Sequence, residues 1–128
     1  MASPSPRLSG YRVLVVEDSF LTAEALREAL TEHGCEVVGP ASRLERGLAL
    51  AADETIGGAF LDINLAGEYC FPLADLLRAR GVPFVFLTGY SEATVIPAAY
   101  RDVPVVSKPF EMSRVVAVVL QRFNRSVP

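Results

Sequence analysis

From Tyr11 onward the chain alternates short apolar runs with stretches of helical periodicity, and the apolar runs carry no polar face. They occupy residues 13–16, 37–38, 59–61, 84–87 and 103–106. Each is rich in β-branched or aromatic residues and too continuous for a strand wetted on one side, so each reads as a strand buried on both faces. Helix signals lie between them. Ser19 can cap a helix with Leu26, Ala29 and Leu30 inward and Glu24, Arg27 and Glu28 outward, closed by Gly34. Ser42 to Glu45 has the form of a capping box opening a short helix with Leu44, Leu48 and Ala51 inward. Pro72 suits the first turn of a third helix that buries Leu73, Leu76 and Leu77 and ends at Gly81. Met112, Val115, Val116, Val119 and Phe123 form one stripe at helical spacing. Val118 and Leu120, beside Arg114 and Arg122, fall off that stripe and read either as a partner surface or as an apolar helix edge. Before the fifth strand, Ser91 offers a cap, but Pro97 removes an N–H and pushes Ile96 out of the α region, so the fourth helix is expected short or distorted.

Five strands alternating with five helices imply right-handed crossovers and a parallel sheet covered on both faces, an α/β doubly wound architecture. The 128 residues hold one domain of this kind over 11–125, after a flexible leader at 1–10, with no length left for an output domain. The formal net charge of −3, without a basic stripe, argues against a nucleic-acid partner. No apolar run approaches the roughly 20 residues of a membrane span, and the opening segment lacks the apolar region of a signal peptide, so the expectation is a cytoplasmic protein with no membrane partner. Cys35 and Cys70 are then reduced thiols, and two Cys with one His, far apart in sequence, do not make a zinc site. That histidine, His33, falls at the end of the first helix, where a structural role at the helix dipole is the simpler reading.

In an open parallel sheet the functional crevice lies at the carboxyl ends of the strands, so the residues just after each strand should converge. Here those residues are polar. Glu17 and Asp18 follow the first strand, Asp62 the third with Asn64 two further on, Thr88 the fourth, and Ser107 and Lys108 the fifth. Lys108 is the only lysine in a chain with eleven arginines. Singly, each has a plain alternative, because acidic pairs and threonines at strand ends often serve as turn or cap residues. Together they place three carboxylates, a hydroxyl and an ammonium at one sheet edge. Three clustered carboxylates repel one another, and a hard divalent cation such as Mg²⁺, which takes carboxylate, carbonyl and water oxygens, relieves that repulsion. Metal, ammonium and hydroxyl all stabilise phosphoryl oxygens, and a central carboxylate can attack phosphorus in line. Asp62 is the candidate nucleophile, Glu17 and Asp18 the candidate metal ligands, and Thr88 and Lys108 the candidate phosphoryl ligands. No general base is called for, since a carboxylate is expected to be ionised at neutral pH.

These residues resemble the receiver domain of two-component response regulators: VLVVED at the first strand, AFLDINL at the third, FVFLTGYS at the fourth and VVSKPF at the fifth. The separations from Asp18 through Asp62 and Thr88 to Lys108 are 44, 26 and 20 residues. The resemblance implies a flavodoxin-like sheet of order 2-1-3-4-5 and Mg²⁺-dependent phosphoryl transfer onto Asp62 from a sensor histidine kinase or histidine phosphotransfer protein. It implies the Asn64 main-chain carbonyl as a further metal ligand and a cis peptide before Pro109. It also implies signalling by contact with a downstream protein, as a monomer or weak dimer, with no turnover beyond the domain's own phosphorylation and slow dephosphorylation. VPFVFLTGY further resembles the Phe-Ala-Thr-Gly-Tyr type segment of stand-alone receivers. Two positions depart from the family pattern. Val105 stands where an aromatic switch residue is usual, with Tyr90 a candidate to take over its role, and Ala66 stands where Pro is common. The alternative function is a small Mg²⁺-dependent phosphatase using an aspartyl-phosphate, which generally wants an acid where this chain has Asn64. A flavodoxin-like nucleotide or flavin binder lacks its Gly-rich loop here, where the chain reads EDSFLTAE.

Overall fold

The computed structural model describes residues 9–89 and 92–123. The sheet strands are β1 (Arg12–Val16), β2 (Glu36–Ala41), β3 (Gly58–Asp62), β4 (Phe84–Thr88) and β5 (Val105–Ser107), all parallel and in the order β2-β1-β3-β4-β5. The helices are α1 (Phe20–Glu32), α2 (Leu44–Asp53), α3 (Phe71–Ala79) and α4 (Met112–Val118). This is the doubly wound flavodoxin-like arrangement. Side chains alternate across the sheet, so Val13, Val15, Phe60, Val85 and Leu87 pack with α1 and α4 on one face. Leu14, Val16, Leu61, Phe84 and Phe86 pack with α2 and α3 on the other. Every residue of β3 and β4 is buried, which is why their sequences show no polar alternation.

Local signals hold where they depend only on neighbours. Ser19 caps α1, its Oγ accepting the Thr22 N–H at 3.4 Å, and Gly34 follows the helix at φ 90°. His33 is the C-cap, with Nδ1 3.0 Å from the Ala29 carbonyl. Pro72 sits in the first turn of α3. Cys35 and Cys70 are buried free thiols.

Two expectations are corrected, the Ser42 cap and the exposure of Val118, and one is sharpened. Ser42 does not cap α2; the N-cap is Arg43, with no side-chain bond, because β2 runs on to Ala41, whose carbonyl takes the Glu17 N–H at 2.9 Å. The fourth helix, expected short or distorted, is two 3₁₀ turns, Glu92–Val95 and Ala98–Tyr100, on either side of Pro97; Ser91, its expected cap, lies outside the described residues. The second turn is fastened to α3 instead. Tyr100 stacks on Phe71 at 6.4 Å between centroids, its hydroxyl donates to Asp75, and Arg78 Nη1 donates to the Ala99 carbonyl at 2.8 Å. Val118, assigned above to an exposed edge, is buried, and Leu120 packs against the same cluster. Val118 lies three residues after Val115 in the same α-helix, on a neighbouring part of its surface, and joins Val115, Val119 and Phe123 in the core; a π-helical turn follows over Val119–Phe123.

Candidate functional site

The site forms where β1 and β3, adjacent in the sheet, end together. Glu17 follows β1 directly and is 1% exposed. Its Oε2 accepts the Ser19 N–H at 2.9 Å, so the turn that starts α1 also fixes the acid. Its Oε1 lies 2.7 Å from Lys108 Nζ. That approach makes an ion pair but falls outside hydrogen-bond geometry, and among the described residues this is the one buried side-chain oxygen or nitrogen with no hydrogen bond. Asp62 ends β3 at 2% exposure, with Oδ2 3.2 Å from the same ammonium. Asp18 is exposed and completes the group: one carboxylate oxygen from each of Glu17, Asp18 and Asp62 lies within 4.8 Å of the others. Lys108 follows β5, where its N–H bonds the Thr88 carbonyl at 2.9 Å, and its peptide to Pro109 is cis. Thr88 ends β4, buried, with its hydroxyl donating to the Gly89 carbonyl at 3.0 Å.

Electrostatics separates the three acids. Burial first, then hydrogen bonding to and repulsion from Glu17 and the hydrogen bond with Asp18, push Asp62 up to about 8, against a smaller opposing pull from Lys108. Burial and the neighbouring acids thus act against the ionised form of Asp62 in the site on its own, opposite in direction to the ease of ionisation of a solvated carboxylate. Burial also acts to raise Asp18, but its hydrogen bonds with Asp62, Glu17 and the Ala66 backbone, together with the Lys108 charge, outweigh that and hold it below the usual carboxylate range. Lys108 is opposed by burial yet raised by its contacts with Glu17 and Asp62, so it stays an ammonium. Two buried carboxylates and one exposed one, with Glu17 Oε1 held by an ion pair but no hydrogen bond, are hard donors that suit a hard divalent cation, which could take the place of a proton on Asp62.

The remaining predicted residues are placed as follows. Asn64 lies two residues beyond Asp62 in a small ribbon that pairs Asn64–Leu65 with Glu68–Tyr69, its Oδ1 accepting the Gly67 N–H at 2.8 Å. Val105 is half-buried on β5 and packs against the cluster on the α2 and α3 face. Tyr90 lies outside the described residues. One feature was missed from sequence: Phe20 and Leu21, at the start of α1, are 75% and 80% exposed. Leu21, Ala25, Lys108, Pro109, Phe110 and Met112 line a groove of about 440 Å³ beside the acids. The signal was available, because both residues follow the Ser19 cap and fall off the Leu26–Leu30 stripe.

The family model described as the response regulator receiver domain matches residues 13–120. The chain is similar to SdrG from Sphingomonas melonis Fr1, at 36% identity over 91% of this chain and 97% of that one, with a TM-score of 0.76. A second solution structure, described as the BeF3-activated conformation of SdrG from Pseudomonas melonis Fr1, matches at 36% identity and a TM-score of 0.72 over 88% of this chain and 95% of that one. The phyllosphere-induced regulator PhyR of Methylorubrum extorquens is 30% identical over 112 residues, 85% of this chain and 42% of PhyR. The chain spans less than half the length of the curated relatives it matches. No helix among the described residues is long and apolar enough to cross a membrane.

Proposed function

Since the chain belongs to the response regulator receiver domain family, we propose that it is a signalling module in which Asp62 accepts a phosphoryl group from a phosphohistidine-bearing partner. The observation that carries this is the convergence of Lys108 on Glu17 and Asp62, at 2.7 and 3.2 Å, over a three-carboxylate group whose buried Glu17 Oε1 lacks a hydrogen bond. A bound Mg²⁺ would be held by the carboxylates of Glu17, Asp18 and Asp62 and by the Asn64 main-chain carbonyl, and supplies positive charge to neutralise phosphoryl oxygens. Asp62 attacks as the carboxylate. One of its oxygens forms the new bond to phosphorus while the bond from phosphorus to the donor imidazole nitrogen breaks, and the imidazole departs with the electron pair and takes up a proton. Lys108 turns from Glu17 and Asp62 to a phosphoryl oxygen, and the Thr88 hydroxyl exchanges the Gly89 carbonyl for another.

The output is a protein contact. A phosphoryl group adds about −2 charge, drawing Thr88 and Lys108 inward. These two residues are joined by a backbone hydrogen bond and end the strands that flank the 3₁₀ turns, so the pull reaches β5 and the segment around Pro97. The exposed Phe20 and Leu21 beside the groove support docking of a protein at the site. The test is incubation with acetyl phosphate and Mg²⁺, read by intact mass. Wild type gains one phosphoryl group and Asp62→Ala gains none; equal labelling of the two would overturn the assignment of Asp62.

A further inference from the structure

The chain between β4 and β5 is held unevenly along its length. Its second half is packed on α3, where Phe71, Asp75 and Arg78 fall four and three residues apart on one helix face and all reach the Ala98–Tyr100 turn or its flank. The Tyr100 ring, 5% exposed, stacks on Phe71 with 11° between planes and meets Phe84 and Phe86 of β4 edge-on, at 5.8 and 5.9 Å between centroids. Its hydroxyl donates to Asp75. Arg78 lies over the same ring at 4.7 Å, donates to the Ala99 carbonyl at 2.8 Å and pairs with Asp102 at 3.3 Å. Residues 99, 100 and 102 are thus each tied to one helix. The first half is more open: Thr94, Val95 and Pro97 are exposed, and Ile96 is half-buried against the α2 and α3 cluster. Pro97 divides the halves, because it has no N–H and its extended ψ of 151° interrupts the helical backbone between the two 3₁₀ turns. A pull on Thr88 enters this segment at Gly89 and reaches the turn held by α3 only beyond Pro97.

We propose that the Ala98–Tyr100 turn is mechanically part of α3, so that a displacement begun at Thr88 by phosphorylation of Asp62 is taken up by residues 89–97 and ends at Pro97. The inference rests on the reading of Asp62 as the phosphoryl acceptor. It divides the link between two strands of the site into a responsive half, which carries the exposed Val95, and a fixed half. Detaching the fixed half requires the ring, hydroxyl and guanidinium contacts to open together, and each hydrogen bond among them shifts such a local opening by about two- to tenfold.

The test is amide hydrogen exchange of the full chain with and without acetyl phosphate and Mg²⁺, the phosphorylated fraction being read by intact mass in parallel samples. The N–H groups of Tyr100, Arg101 and Val103 are bonded to the carbonyls of Pro97, Ala98 and Tyr100 at 2.9, 3.2 and 3.1 Å, so they report opening of the fixed half. Phosphorylation of wild type should change exchange at residues 92–96 by about fivefold or more and leave residues 98–103 within about twofold. Arg78→Met combined with Tyr100→Leu removes the guanidinium and the hydroxyl but keeps apolar side chains, and the phosphorylation-dependent change should then extend through 98–103. Arg101→Met, which removes a charge from the exposed residue that follows the turn, should keep the wild-type boundary. A general loss of stability would speed exchange equally with and without the phosphoryl group and so would not move the boundary. The proposal is overturned by an equal change on both sides of Pro97 in wild type, or by no change on either side in protein that mass shows to be phosphorylated. A boundary that survives in the double variant, or is lost in Arg101→Met, would overturn it as well. Failure of wild type to gain a phosphoryl group would instead overturn the reading of Asp62 as the acceptor.

Discussion

The proton on Asp62 makes the metal-free protein respond to pH in an unusual direction. A carboxyl whose pKa is raised from 3.8 in the unfolded chain to about 8 in the folded one binds a proton in the native state that the unfolded state has released. Stability then falls as pH rises between those two values, the opposite of the slope that ion-paired carboxylates give. Each pH unit in that window removes at most about 1.4 kcal/mol. From about pH 5 to about pH 7 the ceiling is therefore near 3 kcal/mol, and sharing of the proton with Asp18 and Glu17 brings the expected loss to about 1–2 kcal/mol. In a domain of this size that is a fall in Tm of roughly 4–8 °C. Asp18, held below the usual range, loses its contribution only as pH falls through the acid region, outside this interval. The assay is thermal unfolding followed by circular dichroism across that pH range in chelator, repeated in millimolar Mg²⁺ and with Asp62→Asn. Chelated wild type should lose Tm as pH rises. Mg²⁺ should flatten the slope by replacing the proton, and Asp62→Asn, which has no proton to lose, should be flat under both conditions. A Tm that is level or rising in chelated wild type, or the same decline in Asp62→Asn, would refute the reasoning.

Three further outcomes follow from particular contacts. Gly58→Ala would place a Cβ 2.5 Å from the Phe123 ring, so it should destabilise by about 1–3 kcal/mol in urea unfolding. Lys108→Met leaves Glu17 and Asp62 without their shared cation; Tm in chelator should fall, and millimolar Mg²⁺ should restore a larger share of it than Mg²⁺ adds to wild type. Tyr100→Phe keeps the ring stack on Phe71 and removes the hydroxyl bond to Asp75, so chemical denaturation should show a loss of about 1 kcal/mol with an unchanged m-value.

What could be read from sequence was local or periodic. The Ser19 cap, Pro72 in the first turn of α3 and the five parallel strands all depend on residue type and near neighbours and are where the sequence puts them. Only β1, β3 and β4 are largely buried, however; β2 and β5, at the sheet edges, carry exposed residues. The failures share a long-range cause. Ser42 does not cap α2, because the helix starts one residue later, at an Arg43 N-cap, after β2 has run on to Ala41 in its pairing with β1. Val118 sits at the margin of the helical stripe, and the packing of α4 in the cluster with α1 and the sheet buries that margin too. Pro97 signalled a damaged helix, but not that Tyr100 and Arg78 would fasten the remainder to α3.

The site shows the same division at the level of chemistry. Which residues meet follows from strand ends in a doubly wound sheet, and that much was legible. Their charge states were not, because these depend on how deeply the sheet buries each acid. Glu17 and Asp62 lie under the loops at 1% and 2% exposure, while Asp18, one residue from Glu17, is open to solvent. Three carboxylates facing one ammonium leave the site short of positive charge, and two species can supply it. A proton on Asp62 satisfies the balance but occupies the oxygen that would attack phosphorus. A divalent cation satisfies it and leaves that oxygen ionised. The burial that raises Asp62 thus makes its nucleophilicity conditional on the cation, and receptivity to a phosphoryl group should track metal occupancy more steeply as pH falls from 8 toward 5.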